Sequence, residues 1–187
     1  MLDRLVGPDA VHQGVVLEVE PLETTHVGSL ADTKLVVVLD QVTDPHNVGA
    51  ILRSAVAFGA GAVIATARHS PQESGVLAKA ASGAMEHVPL IAVRNLAEAL
   101  DKLKTAGFQT IGLDSDGTQP IESALYGPRV ALVLGAEGKG LRHKTRDTVD
   151  VLARLDTPGA IRSLNVSNAA AVALYAANRF LDAQPKS

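Results

Sequence analysis

The sequence predicts an α/β fold, with a mostly parallel sheet that is covered by helices on both faces. Short apolar runs of strand length alternate with segments of helical periodicity along the 187 residues. The two strongest runs, 35–39 and 130–134, are apolar throughout, which is typical of parallel strands buried on both faces. A glycine turn, 135–140, directly follows the second run. Open sheets of this class bind ligands at the carboxyl ends of their strands, so this turn is a candidate site.

The predicted elements alternate at the spacing of crossover units. Asn47 and Asn95 are suitable N-caps for the first and third helices, and Gly59 and Gly107 follow the ends of these helices. Residues 1–33 lack sustained periodicity, and we interpret them as a lead-in or linker to a domain at 34–187. In chain order, we predict a candidate strand at 13–20, strands at 35–39, 61–66, 88–93, 108–113, 130–134 and 149–155, helices at 47–58, 73–85, 96–105 and 165–181, a polar loop at 114–120 and a short basic helix after the glycine turn.

The composition is that of a globular protein, because 47% of the residues are hydrophobic and 20% are charged. The absence of cysteine excludes disulfides, thiolate metal ligands and cysteine nucleophiles. No apolar run has membrane-spanning length, and no basic-then-apolar signal segment begins the sequence. We therefore expect a cytoplasmic protein that does not associate with a membrane.

The charge pattern bears on nucleic-acid binding. The formal net charge of −3 argues against a protein that coats nucleic acid through its overall field. A basic cluster nevertheless follows the glycine turn, and it is either a solvated helix face or a local RNA phosphate contact. Three Phe, two Tyr and no Trp argue against binding by base stacking. The cluster contains Lys139, Arg142, Lys144 and Arg146.

Two single residues are candidates for chemistry. Glu137 is the only acid inside the glycine turn, although a tight strand-to-helix connection would also explain this turn. Arg53 points away from the apolar arc of its helix and is surrounded by small residues, among them Gly49 and Ala57. Small neighbours allow a ligand or another backbone to approach closely. An ordinary exposed arginine remains the alternative.

The final helix is apolar on almost every side, so it is predicted to be buried inside the domain or against a second subunit. Ser163, Asn165 and Ser167 at its start therefore have few roles open to them except a helix cap or a site. Ser163 or Asn165 alone would provide the cap. Three polar groups beside the glycine turn are more than a cap requires.

Three segments now stand in order: 44–55, 134–142 and 163–167. Together they resemble the SpoU (TrmH) family of RNA ribose 2′-O-methyltransferases, within the SPOUT superfamily, over about residues 34–181. The segment 11–21 is similar to the joint between the N-terminal RNA-binding domain and the catalytic domain of the members that methylate a guanosine of 23S rRNA. We therefore expect residues 1–33 to be the lead-in or linker from an N-terminal RNA-binding domain that is absent from this sequence. A transfer-RNA methyltransferase and a catalytically silent RNA-binding module on this fold remain alternatives. A nucleotide-dependent oxidoreductase is more distant, because the glycine order differs from that of a dinucleotide loop.

The resemblance implies a C-terminal trefoil knot, a homodimer, an RNA substrate and S-adenosylmethionine as the methyl donor, without a metal. It also implies roles for individual residues, and Arg53 is expected to serve the site of the other subunit. Arg162 departs from the family, whose members commonly carry a small polar residue there. The implied catalytic residues are Arg53, Glu137, Asn165 and Asn47, the cofactor-binding residues are Leu113, Gly135, Leu155, Leu164 and Ser163, and the RNA contacts are Arg142, Lys144 and Arg146.

The expected chemistry is an in-line displacement at a methyl group whose sulfonium is already a good leaving group. An arginine stays protonated under nearly all conditions. We therefore expect Arg53 to bind the phosphate next to the target ribose and to stabilise the developing alkoxide, while phosphate or water takes the proton. Asn47 would brace the first segment, and Glu137 and Asn165 would orient Arg53 or the ribose.

Overall fold

The computed structural model describes residues 14–16, 26–68, 74–160 and 163–185. In this part of the chain one seven-stranded sheet has the order β3-β2-β1-β6-β4-β7-β5, and every pair of neighbouring strands is parallel. The prediction of a mostly parallel sheet is confirmed. Because β6 lies between β1 and β4, the carboxyl ends of these strands meet at one edge. The strands are β1 (Leu35–Asp40), β2 (Ala62–Thr66), β3 (Leu90–Val93), β4 (Gln109–Leu113), β5 (Gln119–Pro120), β6 (Val130–Gly135) and β7 (Val151–Arg154).

Helices cover both faces of the sheet, as predicted. The helices α1, α2, α4 and α6 contribute to the core on one face, and α3 contributes to the core on the other face, where it also contacts α5. Two 3-10 turns are also present, Val27–Ser29 before β1 and Ala84–Glu86 between α2 and β3. The helices are α1 (Pro45–Ala57), α2 (Gly75–Ala81), α3 (Leu96–Thr105), α4 (Ile121–Ala124), α5 (His143–Thr148) and α6 (Val166–Asp182).

Strand β1 shows why a continuous apolar run predicts a central strand. Successive side chains point to opposite faces, so Val37 and Leu39 belong to one core and Val38 belongs to the other. All of them are fully buried. Burial of a side chain of this size stabilises the fold by about 1.5–3 kcal/mol relative to exposure. Asp40 ends the strand and is as fully buried as its apolar neighbours.

Helix α1 begins earlier than predicted, and the prediction of Asn47 as its N-cap is wrong. The N-cap is Asp44, whose side chain accepts a hydrogen bond from the His46 amide at 3.0 Å. Pro45 occupies the first helical position, where its fixed φ suits the helix and its missing N–H costs nothing. The side chain of Asn47 is therefore released from capping and lies in the first turn of the helix.

The other differences occur where local signals are weak. The helix predicted at 73–85 is shortened to α2, because Ser82 and Gly83 adopt positive φ angles of 48° and 84°. The polar loop at 114–120 ends in β5, and α4 follows it without having been predicted. Four strands are one or two residues shorter than predicted at one or both ends, whereas α3 has the predicted bounds and the predicted cap, Asn95. Of the candidate strand at 13–20, only 14–16 is described, and it is not a strand.

The final helix is only partly covered by its own chain. Val166, Ala170 and Leu174 are buried in the core, but Val172 and Tyr175 are 46% and 56% exposed. An apolar face of α6 therefore points away from the domain. In the described part of the chain, no helix has the length and hydropathy that a membrane span requires.

Candidate functional site

The glycine turn after β6 is closed on itself. The Gly140 amide donates to the Ala136 carbonyl at 2.8 Å, and these two residues form an isolated antiparallel bridge. Gly138 and Gly140 adopt φ angles of 72° and 63°, which other residues rarely adopt. A Cβ atom on Gly135 would lie 2.1 Å from the Gly140 carbonyl carbon, so a side chain at this position is excluded. The turn holds Glu137 near its apex.

Glu137 is the centre of a hydrogen-bond network that joins all three segments singled out in the sequence. Its Oε1 atom accepts hydrogen bonds from Asn47 Nδ2 at 3.3 Å, from the Val166 amide at 3.3 Å and from Asn165 Nδ2. Asn165 Nδ2 also lies 3.1 Å from Asn47 Oδ1. We call Asn47, Glu137, Asn165 and the Val166 amide the Glu137 network.

The starts of two helices converge on this carboxylate. Asn47 lies in the first turn of α1, and Asn165 is the N-cap of α6, with its Oδ1 accepting from the Ser167 amide at 2.8 Å. The end of α1 lies against the middle of α6, because the Phe58 and Tyr175 rings are 5.9 Å apart. The helices therefore run in the same direction, and both N-termini favour the negative charge of Glu137. The two roles considered for Asn165, helix cap and site residue, are combined in one side chain.

A cleft of about 470 Å³ opens at the carboxyl edge of the sheet, and we call it the first cleft. The segments after β4, β6 and β7 form its walls. Its size is that of a small-molecule site. Its lining combines leucines with charged groups, among them Asp114, Lys139 and Arg146. The lining also contains Glu137 and all five residues predicted to bind the cofactor: Leu113, Gly135, Leu155, Ser163 and Leu164.

A second cleft of about 480 Å³ lies beside the first. The segment between β1 and α1 forms one wall, with Gln41, Thr43 and Asp44 in the lining. Gln41 has a φ of 61°, which is uncommon for a residue other than glycine. Glu137 and Lys139 line both clefts, so the glycine turn separates them.

The model of the SpoU rRNA Methylase family matches residues 34–175 of this sequence. The chain belongs to the SpoU rRNA methylase family. It is 44% identical over 179 residues to the 23S rRNA (guanosine-2′-O-)-methyltransferase RlmB of Pseudomonas putida, with 91% of this chain and 72% of that protein covered. The identity to the protein of the same name from Ralstonia nicotianae is 45%, with 95% and 73% covered.

Solved structures of the SpoU family have the same fold. The SpoU methyltransferase AviRb of Streptomyces viridochromogenes, in complex with AdoMet, has a TM-score of 0.73 and 26% identity, and the match covers 82% of this chain and 60% of that one. An AdoMet-bound rRNA methyltransferase of Sinorhizobium meliloti has a TM-score of 0.75 and 26% identity, and the match covers 85% of this chain and 62% of that one. The chain thus spans about three-fifths of these two proteins. A structure reported for the 2-OH methylation of C/U34 on tRNA has a TM-score of 0.72 and 27% identity, and the match covers 81% of this chain and 99% of that one.

Two of the three arginines and lysines predicted to contact RNA form ion pairs within this SpoU domain. Arg142 Nε lies 2.6 Å from Asp40 Oδ1, and Arg146 Nη1 pairs with Asp114 Oδ2. Of the three, only Lys144 has no such pair with a described residue, and its side chain is exposed. The ion pairs of Arg142 and Arg146 were not predicted from the sequence, because the two carboxylates are 102 and 32 residues away from these arginines.

Arg53 lies on the surface of α1 and lines neither cleft. Within the described residues it makes no hydrogen bond or ion pair, so Glu137 and Asn165 of its own chain do not orient it. One of its small neighbours has a packing role, since a Cβ atom on Gly49 would lie 2.5 Å from Ala80 Cβ. Gly49 allows α2 to pack closely against α1. Arg162, the departure from the family pattern, lies outside the described residues.

Two carboxylates at the carboxyl edge of the sheet were not predicted as site residues. Asp40 is fully buried, and the Asp114 side chain is 6% exposed. Each follows or ends an apolar strand, at the edge where the clefts lie. A charged residue at the carboxyl end of a continuous apolar run is the sequence signal that identifies both. In the described ranges, no group of three or more His, Asp or Glu side chains has the arrangement of a metal site.

Proposed function

We propose that this member of the SpoU family transfers a methyl group from S-adenosylmethionine to the ribose 2′-hydroxyl of a guanosine in 23S rRNA. The observation that carries this proposal is the Glu137 network, which stands between two clefts of similar volume. A two-substrate transfer needs adjoining pockets for donor and acceptor, so that the reacting atoms are held in line. The substrate assignment rests on the relatives, which are named for guanosine 2′-O-methylation of 23S rRNA.

The first cleft fits the methyl donor. Leu113, Leu155 and Leu164 offer apolar surface for an adenine ring, while Glu137 and Lys139 offer opposite charges for an amino-acid tail. Gly135 and Ser163 complete the set of residues that would hold it. The donor supplies a methyl group on a sulfonium, and the protein needs no covalent intermediate. The cleft therefore has to bind and orient the methyl donor and to exclude water from it.

The second cleft is the proposed place of the acceptor nucleotide. The Oε1 atom of Glu137 is occupied by its three donors, which fix the carboxylate so that Oε2 can accept a hydrogen bond from the ribose. Asn47 and Asn165 keep the carboxylate in this orientation. Lys139, which lines both clefts, and exposed Lys144 are the proposed RNA phosphate contacts.

The active unit in this proposal is a homodimer. Val172 and Tyr175 present an exposed apolar face on α6, and such a face is typical of a protein interface. Arg53 lies outside both clefts of its own chain, so a dimer would bring Arg53 of the partner subunit to this site. There the guanidinium would bind the phosphate next to the target ribose and stabilise the developing alkoxide. Phosphate or water would take the proton.

The proposed path of the chain around the first cleft is a trefoil knot. Support comes from the three segments that enclose this cleft and from the tight contact of one of them with β7, where a Cβ atom on Gly117 would lie 2.3 Å from the Ala153 carbonyl carbon. We also propose a cytoplasmic location, because the proposed substrate is ribosomal RNA.

The test combines donor binding with methylation. We expect stoichiometric calorimetric binding of S-adenosylmethionine and methylation of one guanosine in protein-free 23S rRNA, located by reverse-transcription stops. Asn165→Ala should weaken or abolish both. Asn95→Ala is the matched control, because it removes a helix cap of similar value, about 1 kcal/mol, at a residue that lines neither cleft. Methylation of transfer RNA alone would replace the substrate assignment, and donor binding without methylation of any RNA would favour a silent RNA-binding module.

A further inference from the structure

We propose that Asp40 is a positioning residue, which acts through Arg142 to hold the glycine turn, and with it Glu137, in the reactive arrangement. This inference rests on the proposed function, because it gives Glu137 a role in methyl transfer. Asp40 belongs to the central strand β1, whereas Glu137 belongs to the turn after β6. The pair of Asp40 and Arg142 connects the two.

Asp40 contacts Arg142 through both of its carboxylate oxygens. Asp40 Oδ2 accepts from the Arg142 backbone amide at 2.9 Å, and Asp40 Oδ1 accepts from Arg142 Nε at 2.6 Å. The carboxylate is fully buried, while the Arg142 side chain is 43% exposed. A buried charge of this kind is costly unless it is paired and hydrogen-bonded, so the position of Arg142 is strongly determined by Asp40.

The same contact fixes one end of the turn. At the other end, Gly135 is held in the sheet, where its Cα is paired with that of Asp40. Between these ends the turn is closed by the bond from Gly140 to Ala136, and Gly140 packs directly on Gly135. Glu137 therefore lies in a short segment that is anchored to the end of β1 on both sides. Movement of Arg142 would loosen this segment and shift the Glu137 carboxylate.

The burial of Asp40 favours a positioning role over direct contact with a substrate. Asp40 lines neither cleft, and its two oxygens are both used by Arg142. The residue after it, Gln41, has a φ of 61°, so the chain turns sharply away into the wall of the second cleft. Asp40 thus acts from below the two clefts, where neither ligand reaches it.

The decisive variant is Asp40→Asn. Asparagine has the same size, but one of its oxygens is replaced by an NH₂ donor that faces a donor of Arg142. Asp150→Asn is the matched control, because Asp150 Oδ2 accepts two hydrogen bonds from Thr110, from the amide and the hydroxyl, both at 2.8 Å. Thr110 is near the start of β4, at the opposite edge of the sheet from the clefts. Both variants remove a partly or fully buried carboxylate that binds a backbone amide.

The first readout is hydrogen exchange, which does not depend on activity. In Asp40→Asn we expect the amides of 136–142 to exchange at least about tenfold faster, with 109–113 unchanged, because local opening of a segment is independent of the global stability. In Asp150→Asn we expect the reverse. Equal acceleration in both segments would show that Asp40 only stabilises the fold, and no acceleration at 136–142 would also overturn the proposal.

The second readout is kinetic. Asp40→Asn should lower kcat by about 10- to 100-fold, as expected for a misplaced site group, with KM for RNA within about twofold. In a Glu137→Gln background the same substitution should have little further effect, because residues that act as a unit are not additive. A full additional loss in that background would overturn the proposal. So would a raised KM and a weaker salt dependence for Arg142→Met with normal kcat, which would assign Arg142 to RNA contact.

The two readouts separate this inference from the proposed function. If the wild-type protein methylates no RNA but Asp40→Asn speeds exchange at 136–142 alone, Asp40 does hold the glycine turn and the proposed function is wrong. If the protein methylates 23S rRNA and Asp40→Asn has wild-type exchange and kcat, the positioning role of Asp40 is wrong and the proposed function is supported.

Discussion

At the scale of single residues, the Glu137 carboxylate carries the greatest concentration of contacts in the site. One of its oxygens accepts from Asn47, Asn165 and the Val166 amide. These donors belong to two helices and hold the carboxylate at a fixed place between the clefts. The carboxylate is therefore held in one orientation before any substrate arrives, as in other preorganised sites.

Glu137→Gln tests the need for this charge. We expect kcat to fall by about 10²- to 10³-fold, the usual effect of removing one group that stabilises a transition state. The free energy of unfolding should fall by only about 0.3–1 kcal/mol, the value of a charge at a helix N-terminus. Single-turnover methylation and urea denaturation measure the two effects. A variant with normal kcat would show that Glu137 only supports the turn.

Asn165→Asp separates capping from the site. Aspartate is as good an N-cap as asparagine, so α6 should keep its start. The new carboxylate would face Glu137 Oε1, where Asn165 now donates a hydrogen bond. We expect at least about a tenfold loss of kcat/KM from this like-charge contact. Asn95→Asp, at the cap of α3, is the control and should retain wild-type kinetics.

At the scale of elements, the packing of α1 against α2 depends on a single missing side chain. A Cβ atom on Gly49 would lie 2.5 Å from Ala80 Cβ and 2.7 Å from the Ala80 carbonyl carbon. Helix propensity alone favours alanine over glycine by about 1 kcal/mol inside a helix. Overpacking costs about 1–3 kcal/mol and involves backbone here, so it should decide the sign.

Gly49→Ala should therefore destabilise the protein, by up to about 2 kcal/mol after the gain in propensity of about 1 kcal/mol is subtracted. Urea denaturation followed by circular dichroism measures this change. Gly75→Ala is the matched control, because nothing lies within 4 Å of its added Cβ atom and its φ is not positive. That variant should be neutral or slightly stabilising. A stabilised Gly49→Ala would show that α2 moves away easily.

The elements that local chemistry determines were predictable, and those that depend on distant partners were not. Helix α3 has an amphipathic pattern, an asparagine cap and a terminal glycine, so its bounds follow from the sequence. The two-residue strand β5 exists only through its pairing with β7, and no local signal marks it. No local signal predicts the convergence of Asn47, Glu137 and Asn165 either, and it was expected only from the resemblance to a family. The partners of Arg142 and Arg146 required the topology of the sheet.

At the scale of the whole molecule, the exposed face of α6 predicts self-association. Val172→Glu should convert a dimer into a monomer, because a charge in the centre of an apolar interface is strongly unfavourable. Val76→Glu on α2 is the matched control, since Val76 is similarly exposed, at 52%. Light scattering after size exclusion gives the mass of each variant. A wild-type monomer at micromolar concentration would contradict the prediction.

The position of Arg53 makes the dimer a matter of chemistry as well as stability. If Arg53 serves the partner subunit's site, Arg53→Ala and Glu137→Gln are each inactive alone but complement each other after mixing and subunit exchange. Half of the dimers in an equal mixture contain one chain of each kind, and each of these has one intact site. About a quarter of the wild-type activity should therefore return, as symmetry requires. An arginine that acts within its own chain would leave the mixture inactive, because every site would lack one of the two residues.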